Sequence, residues 1–113
     1  GLIFRIAQSR LETDLLNLWR REMPAGLYKP TWLPVTTATK EIMALCFAVN
    51  HDHKLFIKRI SKNNLIYAIA NAHGEYGTCL DYYQKTLSSL NKLGLEDNYI
   101  HELTTAAVAK SSV

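Results

Sequence analysis

With 113 residues, 48% of them hydrophobic and 20% charged, the chain has the make-up of one globular domain, which excludes a disordered or fibrous segment. A net charge of +3, with basic residues scattered except between Lys54 and Lys62, leaves no footprint for nucleic acid. No apolar run is long enough to span a bilayer as a helix.

Residues 2 to 7 alternate, with Leu2, Phe4 and Ile6 on one side and Arg5 on the other, as a strand would. No basic region precedes an apolar one, so the opening is expected to be a strand already in progress rather than a signal peptide, and the chain a fragment. Ser9 and Glu12 have capping-box spacing and predict a helix start. Leu11, Leu15 and Leu18 then form one apolar stripe, and the next member of that series is Glu22. Trp19 lies beside it, while Arg20 and Arg21 point elsewhere on the helical wheel. Pro24 and Gly26 end the helix and leave Glu22 in its last turn.

A carboxylate turned inward is costly unless it is paired, neutral or used. Two readings stay open. Glu22 is either a core acid neutralised by an arginine or a backbone amide, or a general base whose protonated form is favoured by burial and by the negative helix end.

From Tyr28 the chain reads as extended, with Lys29-Pro-Thr-Trp-Leu-Pro fixing two positions out of helix and Pro34 suggesting an edge or a strand start. A turn around Ala38 to Lys40 leads into a second strand, Ile42 to Val49, where Met43, Leu45, Phe47 and Val49 alternate with smaller residues. Asn50 to Asn64 reads as a polar, basic loop with a helical turn near its end. His51 and His53 form an H-x-H pair that can ligate a metal from a strand, yet no third or fourth ligand is evident. Solvated loop histidines are the plainer expectation, and no metal is assigned.

The remainder is helical. A short apolar helix runs from Leu65 to Ala72 and closes at Gly74. Thr78 and Asp81 start a longer one whose stripe is Leu80, Tyr83, Leu87 and Leu90, ended by Gly94. Glu96 and Asp97 open a last helix with its apolar side at Ile100, Leu103, Ala107 and Val108, and the final four residues, from Lys110, should fray. The two cysteines, Cys46 and Cys79, lack metal spacing and fit a reducing, cytoplasmic setting, with Cys79 filling the first turn of its helix. Tyr82 stands one step off the stripe near that helix start, where a phenol could donate to a ligand carboxylate.

The run Leu18-Trp-Arg-Arg-Glu-Met-x-x-Gly-x-Tyr-x-Pro-Thr-Trp32 closely resembles the ChaC family of glutathione-specific γ-glutamylcyclotransferases. So do Ile69-Ala-x-Ala-x-Gly74, Gly77-Thr78 and Tyr82, the opening Gly1-Leu-Ile-Phe-Arg-Ile-Ala, and Leu93-Gly-Leu-Glu-Asp97. The resemblance spans essentially the whole chain. It implies an α+β fold, a small γ-glutamylcyclotransferase-like β-barrel, here partial with about three strands, carrying a catalytic helix and three C-terminal helices.

The resemblance also implies that residues 1–113 are a single domain, the C-terminal part of a γ-glutamylcyclotransferase-like one, because the family's Gly-Tyr-Gly-Ser-Leu loop has no counterpart in these residues. Glu22 would be the catalytic acid/base, and Tyr82 and Tyr28 would contact substrate. The substrate would be glutathione, cyclised to 5-oxoproline with release of Cys-Gly, without metal or cofactor and with no nucleic-acid or membrane partner. The alternative is an inactive remnant serving as a binding or dimerisation module, two copies pairing through open strand edges.

Overall fold

Leu15, Leu18 and Glu22 share one half-buried side of helix α1, Leu11–Glu22, in the computed structural model, which describes residues 1–111. The helix begins differently from the capping-box expectation. Gln8–Arg10 form one turn of 3-10 helix ahead of it, and no side chain caps the first amides. Ser9, already inside that turn, no longer has the extended cap position from which its hydroxyl would accept. Arg10 Nη2 instead reaches Asp14 Oδ1 at 3.1 Å, one turn along. At the other end the Met23 amide donates to Trp19 O at 3.0 Å, and Gly26 leaves with φ of 69°, the left-handed exit that its lack of a Cβ allows.

The chain divides into two compact units, one spanning Leu2–Lys58 and the other running on from Arg59. In the first, β1 (Tyr28–Thr36) and β2 (Glu41–Val49) pair antiparallel in one unbroken register, Tyr28 opposite Val49 and Thr36 opposite Glu41. Thr37 closes the hairpin. Its N–H and its hydroxyl each donate to Lys40 O at 2.8 Å, and the hydroxyl oxygen accepts the Lys40 amide at 3.1 Å.

The bonds beyond the two ladder ends, Thr37 N–H to Lys40 O and Asn50 N–H to Leu27 O, both fall on odd-numbered residues of the β1 side. Pro30 and Pro34 therefore occupy the alternate pairs, where their nitrogens face outward and cost the ladder no bond.

Further expectations for this unit fail. Residues 2–7 form no strand, and Leu2 and Phe4 stand 63% and 79% exposed. Alternation marks a segment able to pair, but a strand exists only with a neighbour to satisfy its backbone, and among the described residues none pairs with this one. The partial three-stranded barrel is accordingly not observed: the described residues hold two two-stranded antiparallel sheets and no closed barrel.

The expected alternation of β2 is also inverted in part, since Met43 and Val49 are exposed while Ile42, Ala44, Cys46 and Ala48 are half-buried. Trp19 meets Phe47 edge-on at 5.6 Å, an aromatic contact between α1 and the large-residue face of the hairpin.

In the second unit, α2 is Lys62–Asn71, beginning three residues before the apolar run because Ser61 accepts the Asn64 amide at 3.2 Å and caps a polar first turn. It ends before Gly74, which instead belongs to a miniature hairpin of β3 (His73–Gly74) and β4 (Gly77–Thr78). Thr78 caps α3, Cys79–Lys92, through a 3.0 Å bond from the Asp81 amide.

Gly94, at φ of 70°, ends α3 with paired bonds from Gly94 N–H to Asn91 O and from Leu95 N–H to Leu90 O, both 3.0 Å. Asp97 Oδ1 then accepts the Ile100 amide at 2.9 Å and starts α4, Asn98–Ser111. Lys110 and Ser111 are helical rather than frayed, and the last two residues lie outside the described part.

Ile66 and Ile69 of α2 meet Leu103 and Ala107 of α4 in the core, with Leu80, Tyr83 and Cys79 of α3 packed against them. Val108, expected on that side, is 37% exposed, and Thr104 takes the buried place with its hydroxyl satisfied by Ile100 O at 2.7 Å. Because Leu103 is 2% exposed, Leu103→Ala should cost about 3 kcal/mol of stability, read from the midpoint of a denaturant titration.

Candidate functional site

Three side chains drew attention in the sequence, and two of them bracket one short connection. Glu22 ends α1, Tyr28 begins β1, and between them run Met23, Pro24, Ala25, Gly26 and Leu27. The Glu22 side chain is 23% exposed, on the same side of α1 as Leu15 and Leu18. It is paired: Arg21 Nε donates to Oε1 at 2.8 Å, although the wheel had sent that arginine elsewhere. A long side chain can fold back over its own helix end, which a wheel of Cβ directions does not capture. Arg21 is 73% exposed, so the pair is solvent-screened and contributes little to stability. Oε2 of Glu22 has no hydrogen-bond partner among the described residues.

Tyr28 faces the same side of the hairpin as Val49 and Phe47. With Leu27, Val49, Asn50, His53, Leu55, Phe56 and Ile57 it lines an open, mainly apolar groove of about 330 Å³. Tyr82, 70% exposed, lines a second groove of about 440 Å³ in the other unit, together with Tyr76, Thr78, Cys79, Asp81 and Lys85. Glu22 is not among the residues lining either groove. The Tyr82 ring meets Tyr83 edge-on at 6.4 Å. Cys79 packs on the core from the first turn of α3, as a small residue there should.

Both rings of the H-x-H pair are engaged with neighbouring groups. His51 stacks on Phe56 at 4.4 Å. His53 uses both ring nitrogens, Nδ1 accepting the Leu55 amide and Nε2 lying against Ala25 O, each at 3.1 Å. Among the described residues no group of three or more His, Cys, Asp or Glu side chains could hold a metal ion. Between these histidines, Asp52 accepts from Lys29 at 2.7 Å, and that hydrogen bond, with the ammonium charge, holds its carboxyl below the ordinary 3.8. Sequence reasoning passed over Asn50 and weighed His53 only as a metal ligand or a solvated loop histidine, because their contacts depend on which strand the loop follows. The available signal was their place directly after the strand that pairs with the segment beyond Glu22.

A family model described as ChaC-like protein matches residues 1–110. The chain belongs to the ChaC-like family. Within that family context, it is 30% identical over 104 residues to the glutathione-specific gamma-glutamylcyclotransferase of Escherichia coli strain K12. The match covers 91% of this ChaC-like chain and 45% of that relative, so the chain spans about half the length of the curated relative it matches. No solved structure matches this ChaC-like chain. None of its described helices is long and apolar enough to cross a membrane.

The groove-side helix of this ChaC-like chain also carries Tyr83. Burial, the largest effect, pushes its phenol above the ordinary 10.0, and nearby Cys79, Tyr99 and Tyr82 add to the rise. A folded state that keeps this proton to higher pH than the unfolded chain is fully stabilised below the unfolded value and loses that stability as pH climbs past about 10. Denaturant titrations through that range should show stability falling with pH, and Tyr83→Phe should make the fall shallower.

Proposed function

We propose that the protein is a γ-glutamylcyclotransferase acting on glutathione, with Glu22 as its general acid/base. The observation that carries this reading is a half-buried carboxylate ending α1, within the Leu-Trp-Arg-Arg-Glu-Met run of a ChaC-like chain whose relative bears that activity in its name. Residues 1–113 contribute to a single cyclotransferase domain, in the cytoplasm, where Cys46 and Cys79 stay as free thiols.

The chemistry is an internal acyl transfer. The substrate's α-amine, with a pKa of about 8, is mostly ammonium at neutral pH and must lose a proton before or during attack. Oε2 of Glu22, which Arg21 leaves unengaged, takes it. A bond forms between that nitrogen and the γ-carbonyl carbon. The γ-amide C–N bond then breaks as the ring nitrogen sheds its second proton, and the departing nitrogen, receiving that proton and the one held by Glu22, leaves as an ammonium. The products are 5-oxoproline and Cys-Gly; water is neither consumed nor released, and no metal or cofactor takes part. Tyr28 and Tyr82 contact the substrate, their hydroxyls serving as hydrogen-bond donors at wet edges.

One observation favours a second reading, an inactive remnant that pairs with another copy. β1 has lost outward donors at Pro30 and Pro34, whereas the outward positions of β2, from Glu41 through Leu45 to Val49, keep theirs and leave an edge open to strand addition. Activity of the full-length protein separates the two readings. Glutathione should yield 5-oxoproline, and Glu22→Gln, which keeps shape but cannot take a proton, should lower kcat by about 100-fold or more. Release at the parental rate would remove Glu22 from the reaction. Tyr82→Phe should raise KM more than it lowers kcat if the hydroxyl only binds, measured in the same 5-oxoproline assay.

A further inference from the structure

We infer that His53 is a positioning residue for Glu22, bracing the turn that hangs from the end of α1; this rests on the reading of Glu22 as general base. The chain leaves α1 through Met23-Pro24-Ala25-Gly26, closed by a 3.0 Å bond from Gly26 N–H to Met23 O. Three consecutive carbonyls, those of Ala25, Gly26 and Leu27, are all held by one segment of the loop after β2. Ala25 O meets His53 Nε2 at 3.1 Å, Gly26 O accepts from Asn50 Nδ2 at 2.9 Å, and Leu27 O accepts from the Asn50 amide at 2.8 Å. Of these, the contact at Ala25 lies nearest to Glu22 in the chain, and it is the one made by an imidazole.

The ring's tautomer follows from its neighbours. Nδ1 accepts the Leu55 amide and so carries no proton, which places the proton on Nε2 and makes that nitrogen the donor to Ala25 O. The segment presenting the ring is itself held by bonds from the Asp52 amide to Asn50 Oδ1 at 3.1 Å, the His53 amide to Asn50 O at 3.2 Å and the Phe56 amide to His53 O at 2.9 Å. The imidazole also packs on the turn, since a Cβ at Gly26 would meet its Cδ2 at 3.6 Å. Proton transfer demands that donor and acceptor be held to within a fraction of an ångström, and a displacement of about 1 Å can cost 100-fold. An unbraced Ala25 carbonyl, three residues after the carboxylate, would let the last turn of α1 shift by that order.

The two nitrogens of His53 can be replaced one at a time in the full-length protein. An asparagine side chain reaches only the Nδ1 position and keeps the acceptor for Leu55, whereas a glutamine amide reaches the Nε2 position and keeps the donor to Ala25. With glutathione as substrate, His53→Asn should lower kcat about tenfold or more with KM little changed, and His53→Gln should restore most of the loss. Equal effects of the two variants, or a loss in both that tracks their thermal stability, would overturn the inference.

Imidazole nitrogen chemical shifts provide a test independent of turnover, with the Nε2–H tautomer supporting the brace and the Nδ1–H tautomer overturning it. Glu22→Gln, assayed alongside, tells the two failures apart. A dead Glu22→Gln with an active His53→Asn rejects the brace alone, whereas an active Glu22→Gln rejects the base and with it the brace.

Discussion

The register of one hairpin is the constraint on which the first unit depends. Because β1 and β2 pair without a bulge, the residue that follows β2, Asn50, comes back opposite Leu27, and the loop beyond it lies against the connection between Glu22 and Tyr28. A slip of one residue would turn every side chain of the strand to the other face and carry Asn50 and His53 away from the carbonyls they hold. Thr37 secures that register at the turn, where one side chain both donates to and accepts from Lys40.

The unit so tied together is strong in local hydrogen bonds and weak in burial. No residue of Leu2–Lys58 is fully buried, whereas the helical unit has Ile69, Leu103 and Ala107 almost completely enclosed. Small cores supply little stability by area alone, so in the first unit the fold leans on backbone satisfaction: the turn at Thr37, the Asn50 bonds, the His53 ring and the Trp19–Phe47 contact. A carboxylate at the end of α1 suits such a place. Glu22 is shielded on its helical side yet keeps one oxygen unengaged, where a fully packed acid would have both oxygens occupied or be neutral.

Much of the local structure was legible in the chain because its causes are local. The end of α1 at Pro24 and Gly26, the hairpin between Tyr28 and Val49, the Thr78 cap and the Gly94 exit each rest on a residue whose backbone or side chain has few alternatives. Glu22 stood out for the same reason, as an acid at a position where the apolar period called for a leucine. The errors have equally definite causes. Ser9 lost its cap to a preceding 3-10 turn, α2 hid its first turn in the polar residues Lys62, Asn63 and Asn64, and the alternating residues 2–7 lacked a neighbouring strand.

By itself the sequence determined the number and order of the later helices, the hairpin and the singular placement of Glu22, since periodicity, capping and turn chemistry act over a few residues. Only tertiary structure decided that Arg21 folds back onto Glu22, that His51 stacks on a ring while His53 braces a carbonyl, and that the small-residue face of β2 is the more sheltered one. Those outcomes depend on groups brought together across the register of two strands or across a flexible side chain's reach, and neither distance is written in the spacing of residues along a chain.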